Sequence, residues 1–394
     1  MALIEKLKKS SIPKRIFRVA FRLMGLLPRK KHTVFFESFH ARQYSDSPRA
    51  IYEYMKKHHP EFRLVWSIDK RAVDLFESHG VPYVKRFTPK WFLEFPRAKY
   101  WVNNVRLPGW MPKPPGTIYV QTWHGTPLKK LGLDIETVHM PGTDTERYRR
   151  NFLSESSKWD FLVSPNPYST KIFKRAFGYK GNVIESGYPR NDLLTNFTEP
   201  DVRSVRESLG IPDGKKVMLY APTWRDHEFY EKGKYKFDFQ FDLKQWEKEF
   251  SEEWVLLTRM HYLIAENFNF EEYNGAVIDV SAYPDIRDLY ITSDLLITDY
   301  SSVFFDYSVL NRPIVFYMYD LDQYRDQLRG FYFPIEKEAP GPIVRTEEEL
   351  FDVIRNTEQL QTEKSEVYRK FRKTFTSLED GHATKRVVNA FLRK

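Results

Sequence analysis

DLLITDYSSVFFDYSVLNRPIVFYM, residues 294–318, holds a complete strand-helix-strand unit. An apolar run at 294–298 ends in Asp299-Tyr300-Ser301-Ser302. Val303, Phe304 and Phe305 then begin a helical pattern, and Pro313 opens a second apolar run at 313–318. Short apolar runs bounded by turn residues fit strands buried on both faces, and such strands pair in parallel with helices covering the two sides. The alternation continues upstream through runs at 276–280, 253–259 and 216–221. Beyond a polar, turn-rich stretch at 189–215 it resumes at 182–186, 160–164, 117–122, 98–105, 82–86, 62–68 and 33–38. The pattern predicts an α/β chain of two doubly wound domains, 32–195 and 196–394, facing a cleft. Helical segments from about 345 onward are expected to close the second domain and cross back to the first.

A length of 394 residues suits two hydrophobic cores rather than one. With 41% hydrophobic and 29% charged residues the composition excludes a disordered chain, and no apolar run approaches the ~18–20 residues that span a bilayer. The absence of cysteine excludes disulfides, thiolate nucleophiles and cysteine metal sites. The net charge of +9 is concentrated at one end: residues 1–31 carry ten Lys or Arg against the single acid Glu5, which leaves 32–394 neutral overall. Among those cations Ile12, Ile16, Val19, Leu23 and Leu26 recur at three- and four-residue intervals, the signature of an amphipathic helix. A basic helix with an aliphatic stripe suits an anionic membrane surface. Nucleic acid is disfavoured, because the body of the chain is not basic. The segment 85–112, with Trp91, Phe92, Phe95, Trp101 and Trp110 among basic residues, offers a second lipid contact or, alternatively, core.

Ligands of open parallel sheets bind beyond the carboxyl ends of the strands, and the residues there are rich in chemistry. His40 follows 33–38, Trp123-His124-Gly125-Thr126-Pro127 follows 117–122, Thr223-Trp224-Arg225 follows 216–221, Met260-His261 follows 253–259, and Ser301-Ser302 follows 294–298. Imidazole titrates near neutrality and suits the activation of a hydroxyl for attack on phosphorus, so His124 is the candidate general base. Gly125 allows close backbone approach to a ligand. His261, Arg225 and Arg329 are candidates to balance phosphate charge, and Ser301-Ser302 to cap a helix or hold a phosphate; Asp306 either reaches the ligand or sits in the helix. No GxxxxGK[ST] or GxGxxG is present, which leaves a nucleoside triphosphatase or a dehydrogenase unsupported. No cofactor or metal ligand set is assigned; a divalent metal stays open.

The stretches QTWHGTPLKKLGLD (121–134), SPNPYST (164–170), GYPRND (187–192), YAPTWR (220–225), RMHYL (259–263), TDYSSVFFDYSVLNRPIVFY (298–317) and RGFYF (329–333) resemble the CDP-glycerol glycerophosphotransferase family of Gram-positive teichoic acid synthesis. The resemblance covers roughly 32–385 and implies a GT-B-like pair of Rossmann-type domains, with the acceptor on the N-terminal domain and CDP-glycerol on the C-terminal one. It implies transfer of sn-glycerol 3-phosphate from CDP-glycerol to a hydroxyl of an undecaprenyl-diphosphate-linked teichoic acid precursor, with release of CMP, at the cytoplasmic face of the membrane. His124 would be the catalytic base, His261 would assist at the donor pyrophosphate, and Ser301, Ser302, Arg329 and Asp306 would belong to the donor site. The stretch at 35–55 resembles enzymes that add one unit to a primed acceptor. A polymerase, a first-unit primase and a CDP-ribitol user are the alternatives, and a non-catalytic lipid- or polyanion-binding protein is the opposing class.

Overall fold

A computed structural model describes residues 12–138, 143–223, 229–231, 234–235, 239–260, 270–324, 330–362 and 366–393. They form two compact units. The first contains the chain to His124, Leu131–Asp192 and His382 onward; the second contains Gly125–Lys130 and Leu193–Gly381.

The first unit is built on seven parallel strands: β1 (Lys30–Glu37), β2 (Arg63–Ile68), β3 (Tyr83–Lys85), β4 (Ala98–Asn103), β5 (Ile118–Gln121), β6 (Phe161–Ser164) and β7 (Asn182–Glu185). Their order is β3-β2-β1-β4-β5-β6-β7, so the winding reverses between β1 and β4. Side chains alternate across the sheet. Val34 and Phe36 join Trp66, Val102 and Val120 on one face, where a helix at Asp46–His58 contributes Ile51 and Met55. The helix Ala383–Leu392 covers the same face with Val387, Val388 and Phe391. Its first two free N–H groups, on Ala383 and Thr384, donate to the two carboxylate oxygens of Asp192 at 2.8 Å each, as a helix start requires. Residues 383–392, counted with the second domain by sequence but expected to cross back to the first, complete the core of the first unit.

On the opposite face Phe35 meets Phe95 at 5.0 Å, and there a helix, α1 (Ile12–Gly25), packs down. Phe21 is fully buried among Trp91, Phe95, Trp101 and Trp110, with centroids 5.5 to 6.2 Å apart. Phe17 sits one turn earlier on Phe87, Phe92 and Trp110. Burying one phenylalanine in this way contributes about 2 kcal/mol. The aromatics of 85–112 are thus chiefly the floor beneath α1: Trp91, Phe95 and Trp101 are buried. The aliphatic stripe points the other way, with Ile16, Val19, Leu23 and Leu26 exposed by 60, 55, 54 and 76%. The helix thus has two apolar faces: Phe17 and Phe21 anchor it, and the aliphatic stripe stays outside. Residues 1–11 lie outside the described residues.

The second unit carries a six-stranded parallel sheet of β8 (Lys216–Ala221), β11 (Trp254–Thr258), β12 (Val277–Asp279), β13 (Leu295–Thr298), β14 (Ile314–Tyr317) and β15 (Ile343–Val344) in the order β12-β11-β8-β13-β14-β15. A separate antiparallel pair, β9 (Phe229–Glu231) and β10 (Lys234–Tyr235), lies between β8 and β11 in sequence. The winding reverses between β8 and β13. Leu295 and Ile297 pack with Met218, Tyr220, Trp246 and Leu256, while Phe304, opening the short helix Val303–Tyr307, meets Phe316 of β14 at 5.0 Å.

Candidate functional site

Parallel strands deliver their carboxyl ends to a common edge, and the reversal of winding opens a crevice there. In the first unit β1 runs out into Ser38-Phe39-His40-Ala41, β4 into Asn104, and β5 into Thr122-Trp123-His124. The ring of His124 reaches the Asn104 carbonyl, with Nδ1 2.7 Å from the oxygen. A carbonyl only accepts, so in the neutral ring Nδ1 carries the proton and Nε2 is left with its lone pair. Trp123 stacks on the imidazole at 4.5 Å from a left-handed backbone with φ 54°. Its N–H donates to Gln121 Oε1 at 2.9 Å, and Gln121 Nε2 donates to the Val105 carbonyl at 3.1 Å, so the turn is tied back to the sheet edge.

Asn104 also holds the neighbouring bend. Its Oδ1 accepts from the Phe39 N–H at 2.9 Å and its Nδ2 donates to Ser38 Oγ at 3.2 Å. The bend contains three successive left-handed residues, Phe39, His40 and Ala41, with φ 41, 61 and 69°. Each costs on the order of 1 kcal/mol and persists only where the surroundings enforce it. Burial pushes the His124 imidazole below its ordinary range. The hydrogen bond to Asn104 and the Asp46 carboxylate oppose that shift, and the Arg190 and Arg106 guanidinium groups reinforce it. His40 is lowered as well, by burial first and then by Arg86, Arg42, His124 and Arg106. Asp46 and Arg190 form a buried ion pair at 3.1 Å, and Arg190 lies over the Tyr188 ring at 4.2 Å. At neutral pH His124 is therefore an uncharged base with a fixed tautomer, on the wall of a cavity of 1030 Å³ that it shares with His40, Arg106, Trp110 and Tyr148.

In the second unit the reversal between β8 and β13 brings Thr223 against Asp299, whose Oδ1 accepts the Thr223 N–H at 2.7 Å. Thr298 Oγ1 donates to the Ala221 carbonyl at 2.7 Å. Two predicted residues meet here: a Cβ on Gly125 would stand 2.9 Å from Ser302 Oγ, so a larger residue would displace the serine hydroxyl. The strip that Gly125 begins is held by Lys130 N–H to the Gly330 carbonyl at 2.9 Å and Tyr332 N–H to the Leu128 carbonyl at 2.8 Å. Tyr300 stacks on Tyr324 at 3.9 Å and donates its hydroxyl to Asp320 at 3.0 Å. Ser302 occupies the N-cap position of Val303–Tyr307 but makes no side-chain capping bond, and Ser301 is likewise only half-buried. Asp306 is buried within that helix. Arg225, His261 and Arg329 lie outside the described residues. Among the described residues, no group of three or more His, Cys, Asp or Glu is placed to hold a metal ion.

A sequence profile of the CDP-Glycerol:Poly(glycerophosphate) glycerophosphotransferase family matches residues 19–393. The chain belongs to that family. The teichoic acid poly(glycerol phosphate) polymerase of Bacillus spizizenii is 51% identical to this glycerophosphotransferase over 390 residues, covering 98% of each chain. The polymerase of the same description from Bacillus subtilis is 50% identical over 397 residues, 99% of this chain, which spans about half (53%) of that relative. The Staphylococcus aureus teichoic acid glycerol-phosphate transferase is 48% identical, with 95% and 96% of the two chains covered. The solved structure of the wall teichoic acid polymerase TagF superposes with a TM-score of 0.88 at 40% identity, over 99% of this chain and 96% of that one. This glycerophosphotransferase therefore has the GT-B-like fold with its two parallel sheets.

Asn104, Arg106 and the Asp46–Arg190 pair were not singled out by sequence reasoning. The only signal for Asn104 is the polar pair Asn103-Asn104 that closes an otherwise apolar run. Nothing local marks Asp46 and Arg190 as partners 144 residues apart.

Proposed function

We propose that the protein extends a lipid-linked teichoic acid chain by repeated transfer of glycerol phosphate from CDP-glycerol, releasing CMP at each step. The observation that carries this reading is the pairing of His124 Nδ1 with the Asn104 carbonyl, which leaves Nε2 as the proton acceptor. In the reaction the acceptor hydroxyl gives its proton to Nε2 as its oxygen bonds the phosphorus bearing glycerol. The bond from that phosphorus to the bridging oxygen breaks, and CMP departs with the electron pair. Removing the proton during attack is worth typically ~10²–10⁴ in rate. Ser301 and Ser302, with Gly125 against Ser302, are the residues we place at the donor phosphates; Arg225, His261 and Arg329 are placed with them on the motif resemblance alone.

Repeated addition is preferred to the single addition suggested by residues 35–55, because the Bacillus relatives are described as polymerases. An acceptor anchored in a bilayer requires an enzyme at the bilayer surface, and the exposed stripe of α1 supplies the contact. No helix among the described residues is long and apolar enough to cross a membrane.

The test is CMP release from CDP-glycerol with a glycerol-phosphate-primed lipid, product length being read by mass spectrometry and CDP-ribitol serving as control. Acceptor-dependent release giving products several units long is expected. Products extended by one unit only would replace the polymerase with a single-addition enzyme, and folded protein with no turnover would end the transferase reading.

A further inference from the structure

The cavity beside His124 is far larger than an imidazole and one hydroxyl require. At 1030 Å³ it is the size of a site for a sizeable ligand, and its charge is one-sided. Lys14, Arg15 and Arg18 of α1 line it together with Arg106 and His40. The carboxylate on its wall, Glu155, is already committed: it pairs with Lys158 Nζ at 2.7 Å and accepts from the Leu107 N–H at 3.1 Å and the Tyr119 hydroxyl at 3.2 Å. Among the described residues none of the four cations makes an ion pair. Arg106 is held instead by aromatic faces, 4.4 Å from the Phe152 centroid and 5.4 Å from that of Tyr148. Such contacts orient a guanidinium without neutralising it. Like charges around a concave wall repel one another and raise the local concentration of anions, so the arrangement is stabilised by a negatively charged occupant.

The position of α1 narrows what that occupant is. Its aliphatic stripe is exposed on one side, while its cations border the cavity that holds the base. A molecule anchored among lipids and presenting a hydroxyl to Nε2 would pass this cationic flank on its way in. We propose that the cavity is the acceptor's anion subsite: Arg106 and His40 hold the phosphodiester next to the attacking hydroxyl, and Lys14, Arg15 and Arg18 receive the phosphates that precede it. The identity of the anion rests on the transferase reading; the anion site itself rests on the cavity.

Bilayer head groups offer the same phosphodiester chemistry, so the experiment separates the two sources. Full-length wild-type protein, without CDP-glycerol, is titrated calorimetrically with a soluble tri(glycerol phosphate) and with uncharged triglycerol; binding to phosphatidylglycerol vesicles is measured by sedimentation. Salt-sensitive binding of the phosphate oligomer alone is expected. Arg106→Gln weakens it by about tenfold, the worth of one charge-assisted hydrogen bond, Arg106→Lys restores part of it, and vesicle binding holds. An Arg106→Gln variant that binds the oligomer as wild type does, or that loses vesicles instead, overturns the proposal, and retained affinity in the Lys14/Arg15/Arg18→Gln triple variant removes α1 from the subsite. Steady-state kinetics separates this inference from its foundation. An unchanged acceptor KM in an active Arg106→Gln enzyme defeats the subsite and leaves the transferase; oligomer binding with no turnover from any donor does the reverse.

Discussion

The two sheet edges are built alike in topology and differently in backbone. At the edge of the first sheet lie Phe39, His40, Ala41, Asp46 and Trp123, all left-handed and none of them glycine, with Phe87 nearby in sequence to β3. In the second unit the left-handed non-glycine residues, among those described, are Asn274 and Asn311, the residue type that tolerates the conformation. The first edge forces bulky residues into costly geometry to aim two imidazoles at a cavity. The second is relaxed, tied by ordinary hydrogen bonds such as Thr223 to Asp299. If His124 takes the acceptor's proton as proposed, the difference teaches that the fold concentrates its strain where a lone pair has to be aimed to within a few tenths of an ångström.

The largest expected effect sets the two edges directly against each other. His124→Ala should lower CMP release by ~10³-fold with the circular dichroism melt unchanged, whereas Ser302→Ala at the other edge should cost no more than about tenfold. Equal losses would break the comparison. Asn104→Ala removes the two side-chain bonds that hold the bend while the carbonyl that orients His124 stays, so kcat should fall by about tenfold and stability by about 1–3 kcal/mol in a denaturant melt. A melt changed with kcat intact would make Asn104 purely structural.

The pH dependence sharpens the comparison further. The proposed base works only when unprotonated, and burial, helped by Arg190 and Arg106, holds His124 below the ordinary imidazole range. The rate should therefore be lost only on acidification below about 6.5. Removing the Arg106 charge should move that acid limb upward, because one lowering influence is gone; a downward shift in a pH–rate profile of Arg106→Gln would contradict it. The smallest effect concerns the strain itself. Ala41→Gly should stabilise the protein by about 0.5–1 kcal/mol, while Asn311→Gly in the second unit should leave the melt nearly unchanged.

Every parallel strand expected from the sequence is present; β15 was not expected, being only two residues long and too short to show a pattern, nor was the small antiparallel pair β9–β10, which falls in a charged, aromatic stretch without periodicity. Parallel strands are legible because burial on both faces writes itself as runs such as Val34-Phe35-Phe36. The place of His124, Gly125 and Ser302 beyond a strand end was legible for a related reason: polar residues following an apolar run mark a carboxyl edge. Asn104 was not, because the carbonyl that orients His124 is backbone, which no residue type advertises, and the partners of its side chain, Ser38 and Phe39, are about 65 residues away. The orientation of α1 was half legible. Its aliphatic period was plain, but Phe17 and Phe21 interrupt it, and only the aromatic floor they land on shows which face is buried.

The return of residues 383–392 to the first unit has a bearing on how the protein is made. A ribosome delivers residues in order, and domains usually fold as they emerge. Here the sheet of the first unit is complete in sequence by residue 185, yet Val387, Val388 and Phe391 still have to reach one of its faces. Until residues 387–391 have been made, that face, with Ile51, Trp66 and Tyr100, lacks part of its cover, so the nascent first unit waits through the production of the second with apolar surface open to chaperones.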